Sequence, residues 1–148
     1  MADPLLLDTS AFITLTDREP GVERIREVLK AAKRGELILY ACFVSLTEVQ
    51  YVKTYDLGAE KARRILCSIR KFPILWIHSD DALCARAADL KASHTIAFAD
   101  AFVAAAALRV NAVLIHKDPQ FAAIAGQLKQ EMLPPKSSAP LVGRAKTS

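Results

Sequence analysis

The sequence predicts an α/β fold in which a mostly parallel sheet of about five strands carries helices on both faces. Two observations lead to this fold class. Short apolar runs alternate along the chain with longer segments of helical periodicity, and the runs are apolar throughout, without alternating polar residues. Continuous apolar runs are typical of strands buried on both faces, which is the situation in a parallel sheet between two helix layers.

The first half of the chain contains two of the predicted strands and four helices. In order, these elements are a strand at 5–7, helices at 10–16 and 21–34, a strand at 37–40, and helices at 45–55 and 58–71. The helix at 21–34 is amphipathic, because Val22, Ile25 and Val28 lie on one face with polar residues between them.

The second half continues the same alternation. Its elements are a strand at 74–77, helices at 80–91 and 96–108, a strand at 112–115, a helix at 119–127 and a short edge strand at 132–133. Strands that alternate with helices in this way predict crossover connections, and therefore parallel pairing.

Length and composition indicate one domain over 1–135, followed by a disordered basic tail over 136–148 that has no aromatic or acidic residue. Hydrophobic residues make up 52% of the chain, which predicts apolar surface for a protein partner, most simply a homodimer. No apolar run is long enough to span a membrane, and residues 1–7 do not resemble a signal peptide, so we expect a cytoplasmic protein.

The cysteines are too widely spaced to indicate a disulfide framework or a zinc site. Cys42, Cys67 and Cys84 contain no Cys-x-x-Cys pair, and the three histidines are equally scattered. We interpret the three cysteines as small buried hydrophobic residues in a reducing compartment.

Asp100 is the most informative residue, because it lies in an otherwise apolar segment at 96–108. That segment predicts a helix buried on nearly all sides, where an unpaired carboxylate is costly and either binds a proton or finds a cation. The adjacent turns contain no lysine or arginine, so the partner must come from elsewhere in the fold. The alternative is an aspartate on a narrow exposed stripe, or a protonated acid in the core.

Three further acids lie where a parallel sheet places its ligands. Asp8 follows the first strand, Asp118 follows the strand at 112–115, and ligands bind beyond the carboxyl ends of such strands. Each of these aspartates can also be a helix N-cap. Glu48 has a similar alternative, since Ser45-Leu-Thr-Glu48 fits a capping box. As a set, the four acids predict one pocket.

Four carboxylates in one pocket need a counter-charge, because like charges at short range repel and take up protons. Mg²⁺ and Mn²⁺ prefer carboxylate oxygen and water, and such an ion can activate water for attack on a phosphodiester. The sequence therefore predicts one or two Mg²⁺ or Mn²⁺ ions held by Asp8, Glu48, Asp100 and Asp118, which would be the catalytic residues of a hydrolase.

The segments that carry these acids resemble the PIN-domain nucleases, particularly the VapC-type toxins of toxin–antitoxin pairs. Segments 5–12, 45–50, 98–105 and 113–121 are similar to the family's motifs and supply its acids in order. The resemblance implies a PIN-like three-layer fold and a metal-dependent endoribonuclease. It also implies an RNA substrate, a dimer and a small inhibitory antitoxin.

Two residues beside the acids each have a functional and a structural interpretation. Many family members carry threonine or serine where His116 stands, and an imidazole there could bind substrate or pack in the core. Ser10 could support the site with its hydroxyl, or serve only at a helix start. No aromatic stacking platform for nucleobases is recognisable from the sequence. The alternatives to a nuclease are a non-catalytic module that binds metal and RNA, and a phosphotransfer or receiver domain with Lys117 near a strand end.

Overall fold

The computed structural model describes residues 2–136 and contains a five-stranded parallel sheet in the order β3-β2-β1-β4-β5. The strands are β1 (Leu5–Leu7), β2 (Leu39–Cys42), β3 (Leu75–Ile77), β4 (Val113–His116) and β5 (Gln130–Met132). All four pairings are parallel, and β1 lies at the centre. The predicted fold class is confirmed.

Helices cover both faces of the sheet. They are α1 (Thr9–Thr16), α2 (Val22–Lys33), α3 (Val44–Leu57), α4 (Ala59–Arg70), α5 (Asp81–Ser93), α6 (Phe98–Arg109) and a 3₁₀ helix at Pro119–Ile124. For the last of these the sequence predicts a helix over 119–127, and the structure has a shorter one of the 3₁₀ type. Its amides bond three residues back, as Ala125 does to Ala122 at 3.2 Å. This tighter helix brings Phe121 and Ile124 into the core on the short path from β4 to β5.

Strand β2 forms two residues later than the predicted 37–40. It pairs with β1 so that Leu39 lies opposite Leu5 and Ala41 opposite Leu7. The run from 37 to 42 is apolar throughout and contains no periodicity that could set its register. The pairing with β1 therefore decides where the strand lies.

The side chains of the sheet alternate between two cores. Leu6 and Leu114 pack with the buried residues of α5 and α6, whereas Leu5, Leu7 and Ile115 pack with those of α1 and α2. Helix α6 is deeply buried, since every residue from 103 to 107 is inaccessible to solvent. Asp100 lies in the first turn of α6, just before this fully buried stretch.

The interpretation of the cysteines is right for only one of them. Cys42 is buried, and this burial raises the pKa of its thiol to about 11. Cys67 and Cys84 are exposed, because they lie on the solvent-facing sides of α4 and α5. None of the three is in a disulfide.

Within residues 2–136, no helix combines the length and the apolarity that a membrane span needs. The predicted tail at 136–148 lies outside the described residues except for Lys136, whose side chain lines the pocket described next.

Candidate active site

The structure places all four predicted acids on one pocket of about 340 Å³ at the carboxyl edge of the sheet. Asp8 follows β1 directly, and Asp118 lies two residues after the end of β4. Glu48 comes from α3, which begins just after β2, and Asp100 from the first turn of α6. The pocket is therefore built where neighbouring parallel strands end, as expected for an α/β sheet.

One carboxylate oxygen of Asp8 accepts hydrogen bonds and the other does not. Its Oδ2 accepts hydrogen bonds from the Ser10 backbone amide at 3.2 Å and from Ser10 Oγ at 2.6 Å, as an N-cap does. Its Oδ1 is buried and has no hydrogen-bond partner within the described residues. Burial raises the pKa of Asp8, although the Ser10 bonds oppose this. The N-cap role of Asp8 therefore explains the hydrogen bonds of Oδ2 but not the burial of Oδ1.

The capping-box interpretation of Glu48 is wrong. Helix α3 starts at Val44 without a side-chain cap. Glu48 instead accepts a hydrogen bond from Thr9 Oγ1 at 2.6 Å, and the same Thr9 oxygen lies 2.9 Å from Ser45 Oγ. Burial raises the pKa of Glu48, the Thr9 bond opposes this, and the charge of Asp8 adds to the rise. Glu48 is therefore oriented by α1.

Asp100 is an acid of the pocket whose pKa is strongly raised. Its pKa is raised to about 8, first by burial and then by the negative charges of Asp8, Asp118 and Glu48. A hydrogen bond with Asp118 also favours the protonated form. At neutral pH Asp100 therefore holds a proton in the absence of a cation, which is the expected response of crowded carboxylates.

His116 shapes the turn that carries Asp118. The ring is buried and packs on Phe121, with centroids 4.8 Å apart. Its Nδ1 accepts from the Asp118 amide at 3.0 Å, so Nε2 carries the hydrogen and donates to Gln130 Oε1 at 2.9 Å. His116 does not line the pocket, and its position supports packing over substrate binding.

Ser10 connects Asp8 to the loop that follows β4. Its hydroxyl donates to Asp8 and accepts a hydrogen bond from the backbone amide of Lys117 at 3.0 Å. The two loops beyond β1 and β4 are thereby tied together through one side chain. The hydroxyl is in the place where it can orient the Asp8 carboxylate.

Sequence reasoning missed a buried ion pair in the same pocket. Lys117 Nζ lies 3.2 Å from Glu19 Oε1, and their side chains are only 9% and 8% exposed. Lys136 Nζ approaches Glu19 Oε2 at 3.7 Å. Glu19 precedes a proline in a loop and has no periodic pattern, so no local signal in the sequence marked it.

Replacing Glu19 with Gln should lower the free energy of unfolding by about 3 kcal/mol, because it leaves the Lys117 ammonium buried without a counter-charge. Urea unfolding measures the change. The control is Glu60→Gln, which breaks an ion pair with Arg64 whose side chains are 73% and 74% exposed. That variant should lose less than about 1 kcal/mol. Equal losses would show that the Glu19 pair contributes no more than a surface pair.

The donor chemistry of the pocket fits a hard divalent cation. Among residues 2–136, no three acidic, histidine or cysteine side chains already surround one point, so binding requires carboxylates to turn. A bound cation would give the buried Asp8 Oδ1 a partner, and it would displace the proton from Asp100. All four candidate ligands are carboxylates, which suits Mg²⁺ or Mn²⁺.

The sequence matches the PIN domain family over residues 5–127, and the chain belongs to that family. Among curated proteins no relative matches it. The family assignment agrees with the parallel sheet and with the acids gathered at its carboxyl edge.

Several solved structures of toxin–antitoxin proteins share the fold. VapBC2 from Rickettsia felis, bound to a DNA fragment from the promoter, is 18% identical with a TM-score of 0.71, over 88% of this chain and 98% of that one. VapC20 from Mycobacterium tuberculosis, a toxin that cleaves the sarcin-ricin loop, is 18% identical with a TM-score of 0.68, over 88% and 99%. DNA-bound VapBC from Salmonella typhimurium is 16% identical with a TM-score of 0.70, over 88% and 98%.

Proposed function

We propose that this protein is a metal-dependent endoribonuclease whose catalytic residues are Asp8, Glu48, Asp100 and Asp118. The observation that carries the proposal is the convergence of these four carboxylates on one pocket of a PIN domain, with the pKa of Asp100 raised to about 8. Strongly perturbed acids in a cleft are typical of active sites. The nuclease character of the family supports the same reaction class.

The residues around the pocket would serve two purposes. The carboxylates would hold the metal ion, and positive charge would contact the phosphate of the substrate. Asp8 offers an unpartnered oxygen, and Ser10 and Thr9 hold Asp8 and Glu48 in place. When bound, Mg²⁺ or Mn²⁺ supplies the counter-charge and lowers the pKa of water for hydrolysis of the phosphodiester. Lys136 lines the same pocket with a largely exposed side chain and provides positive charge for the phosphate oxygens of the substrate.

We extend the proposal to the toxin component of a two-protein system, silenced by a small antitoxin. The support is the structural similarity to VapBC complexes and to a VapC toxin. At these sequence identities the similarity is evidence for a shared fold. An acidic pocket is best blocked by a basic side chain, so we propose that the antitoxin places an arginine or lysine there. The assembly would act in the cytoplasm, where its RNA substrate is found.

A homodimer is the proposed assembly. The structure has a large apolar groove between α5 and α6, about 330 Å³ in volume. Its lining includes Cys84, Ala87, Phe98 and Phe102, and Phe98 is largely exposed. Such apolar surface is typical of the core of a protein interface.

Wild-type protein should cleave single-stranded RNA when Mn²⁺ or Mg²⁺ is present and should stop when the ion is chelated with EDTA. Hydrolysis by activated water predicts products with a 5′-phosphate and a 3′-hydroxyl. Denaturing gels with end-labelled RNA measure the cleavage, and phosphatase sensitivity identifies the ends. RNA that stays intact with fresh metal would favour the non-catalytic module, and cleavage in EDTA would contradict the metal requirement.

A further inference from the structure

Helix α3 carries two exposed tyrosines that the proposed nuclease activity does not use. Tyr51 is 46% exposed, and Tyr55 is 83% exposed. Their rings lie edge to face, with centroids 5.9 Å apart and planes at 72°. Large aromatic rings are usually buried in a domain of this size, so a surface pair of them suggests a ligand. The sequence alone does not reveal this aromatic surface, because the exposure of the pair depends on how α3 packs.

These tyrosines line a shallow groove on the surface of α3. Thr47, Gln50 and Thr54 complete its lining, and its volume is about 300 Å³. We call this surface the tyrosine groove. Aromatic faces beside hydroxyl and amide groups suit a flat molecule with polar edges.

Helix α3 contributes residues both to the tyrosine groove and to the acidic pocket. Tyr51 and Tyr55 follow Glu48 by three and seven residues, which places all three side chains on one side of α3. The backbone distance from Glu48 to Tyr55 is about 10 Å at the rise of an α-helix. Burial first, and then the charge of Glu48, raises the pKa of Tyr51, in keeping with this proximity.

We propose that the tyrosine groove binds an unpaired nucleobase of the RNA that flanks the phosphodiester in the acidic pocket. The base stacks on an exposed tyrosine ring, and its polar edge meets Gln50 and Thr47. The inference rests on the proposed nuclease function, and it names these tyrosines as determinants of which RNA is bound. Stacking of unpaired bases on aromatic rings is a common mode of single-strand recognition.

The surface chemistry favours a nucleobase over a second protein chain. Three of the five residues that line the tyrosine groove are threonine or glutamine, whereas the groove between α5 and α6 is lined mainly by alanine and phenylalanine. The apolar surface is better suited to a protein interface, because the centres of such interfaces are depleted in polar groups. The opposite side of α3 is occupied, since Ser45, Val49 and Lys53 are buried there.

The test measures binding of a short single-stranded RNA that contains 2-aminopurine, with Asp8→Asn as the common background so that the RNA stays intact. Adding Tyr51→Leu and Tyr55→Leu together should weaken binding roughly fivefold to a hundredfold and abolish the quenching of 2-aminopurine on binding. The conservative pair Tyr51→Phe and Tyr55→Phe should retain both. The matched control is Leu57→Ala, which removes an exposed apolar side chain of the same helix that does not line the groove, and it should bind and quench like the Asp8→Asn background.

Unchanged affinity and quenching in the double leucine variant would overturn the proposal. The proposal would also be overturned if the double leucine variant were a monomer by light scattering while the protein with both tyrosines is a dimer. That result would assign the groove to contacts with a second copy of the chain. Cleavage by the wild-type protein is scored separately with Mn²⁺. An inactive wild-type protein that still quenches 2-aminopurine would reject the nuclease function and leave the binding groove in place.

Discussion

Replacing Asp8 with Asn is expected to lower the rate of RNA cleavage by at least about a hundredfold, because disturbing even the outer partners of a metal ligand costs ten- to a hundredfold. Asparagine keeps an oxygen that can accept the Ser10 hydrogen bonds. It replaces the other carboxylate oxygen with an amide group that donates hydrogen bonds and repels a cation. Asp8 Oδ1 is the buried atom without a partner, so the substitution changes the atom available to metal.

Initial cleavage rates with saturating Mn²⁺ measure this effect, and thermal unfolding shows whether the fold is retained. Metal-free Asp8→Asn should be at least as stable as wild type, because burial already raises the pKa of Asp8 and disfavours its charge. The matched control is Asp89→Asn on the exposed side of α5, which should cleave at the wild-type rate. Full activity in Asp8→Asn, or loss of its fold, would refute the role assigned to Asp8.

Metal-free protein is expected to lose stability as the pH rises from about 4 to about 8, and Asp100→Asn should remove the part of this loss that Asp100 contributes. Asp8 and Glu48, whose pKa values burial also raises, contribute the rest. The pKa of Asp100 rises from 3.8 to about 8 on folding. In this window the folded chain therefore holds a proton that the unfolded chain has released. The free energy of unfolding falls by at most about 1.4 kcal/mol per pH unit for one such proton.

The Asp100 share of the slope, which is the difference between wild type and Asp100→Asn, should be smaller than this limit, because Asp100 is partly exposed and solvent screens the neighbouring charges. Urea unfolding in EDTA across the pH range measures it. Mn²⁺ should stabilise the wild-type protein most at the high end of the range, since a cation competes with the proton for the carboxylates. Asp89→Asn should follow the wild-type slope. An unchanged slope in Asp100→Asn would contradict the proton on Asp100, and an unfolded variant would favour a structural role.

Much of the fold and the four candidate acids could be predicted from the sequence because their signals are local. Apolar runs between helical segments indicate strands of a parallel sheet, and the acids directly follow these strands or open a helix. Asp8 and Asp118 are recognisable from their positions alone, since the carboxyl ends of parallel strands meet at one edge. Asp100 is recognisable from the cost of a carboxylate in an apolar helix.

The contacts around the acids could not be predicted, because they join residues far apart in the chain. Glu19 and Lys117 are separated by 98 positions, and neither lies in a periodic pattern. The partner of Glu48 is Thr9, 39 positions away, although a local capping box was an equally good interpretation. The two tyrosines show a helical spacing, but spacing does not reveal whether the shared side is buried or exposed.

The sequence by itself therefore determined the class of fold, the edge of the sheet where the acids gather, and the identity of those acids. The tertiary structure alone decided the register of β2, the buried ion pair beside the pocket, the state of Asp100 and the exposure of the tyrosine groove. The physical reason is that propensity and periodicity act over neighbouring residues, whereas pairing, burial and pKa shifts depend on groups that only folding brings together.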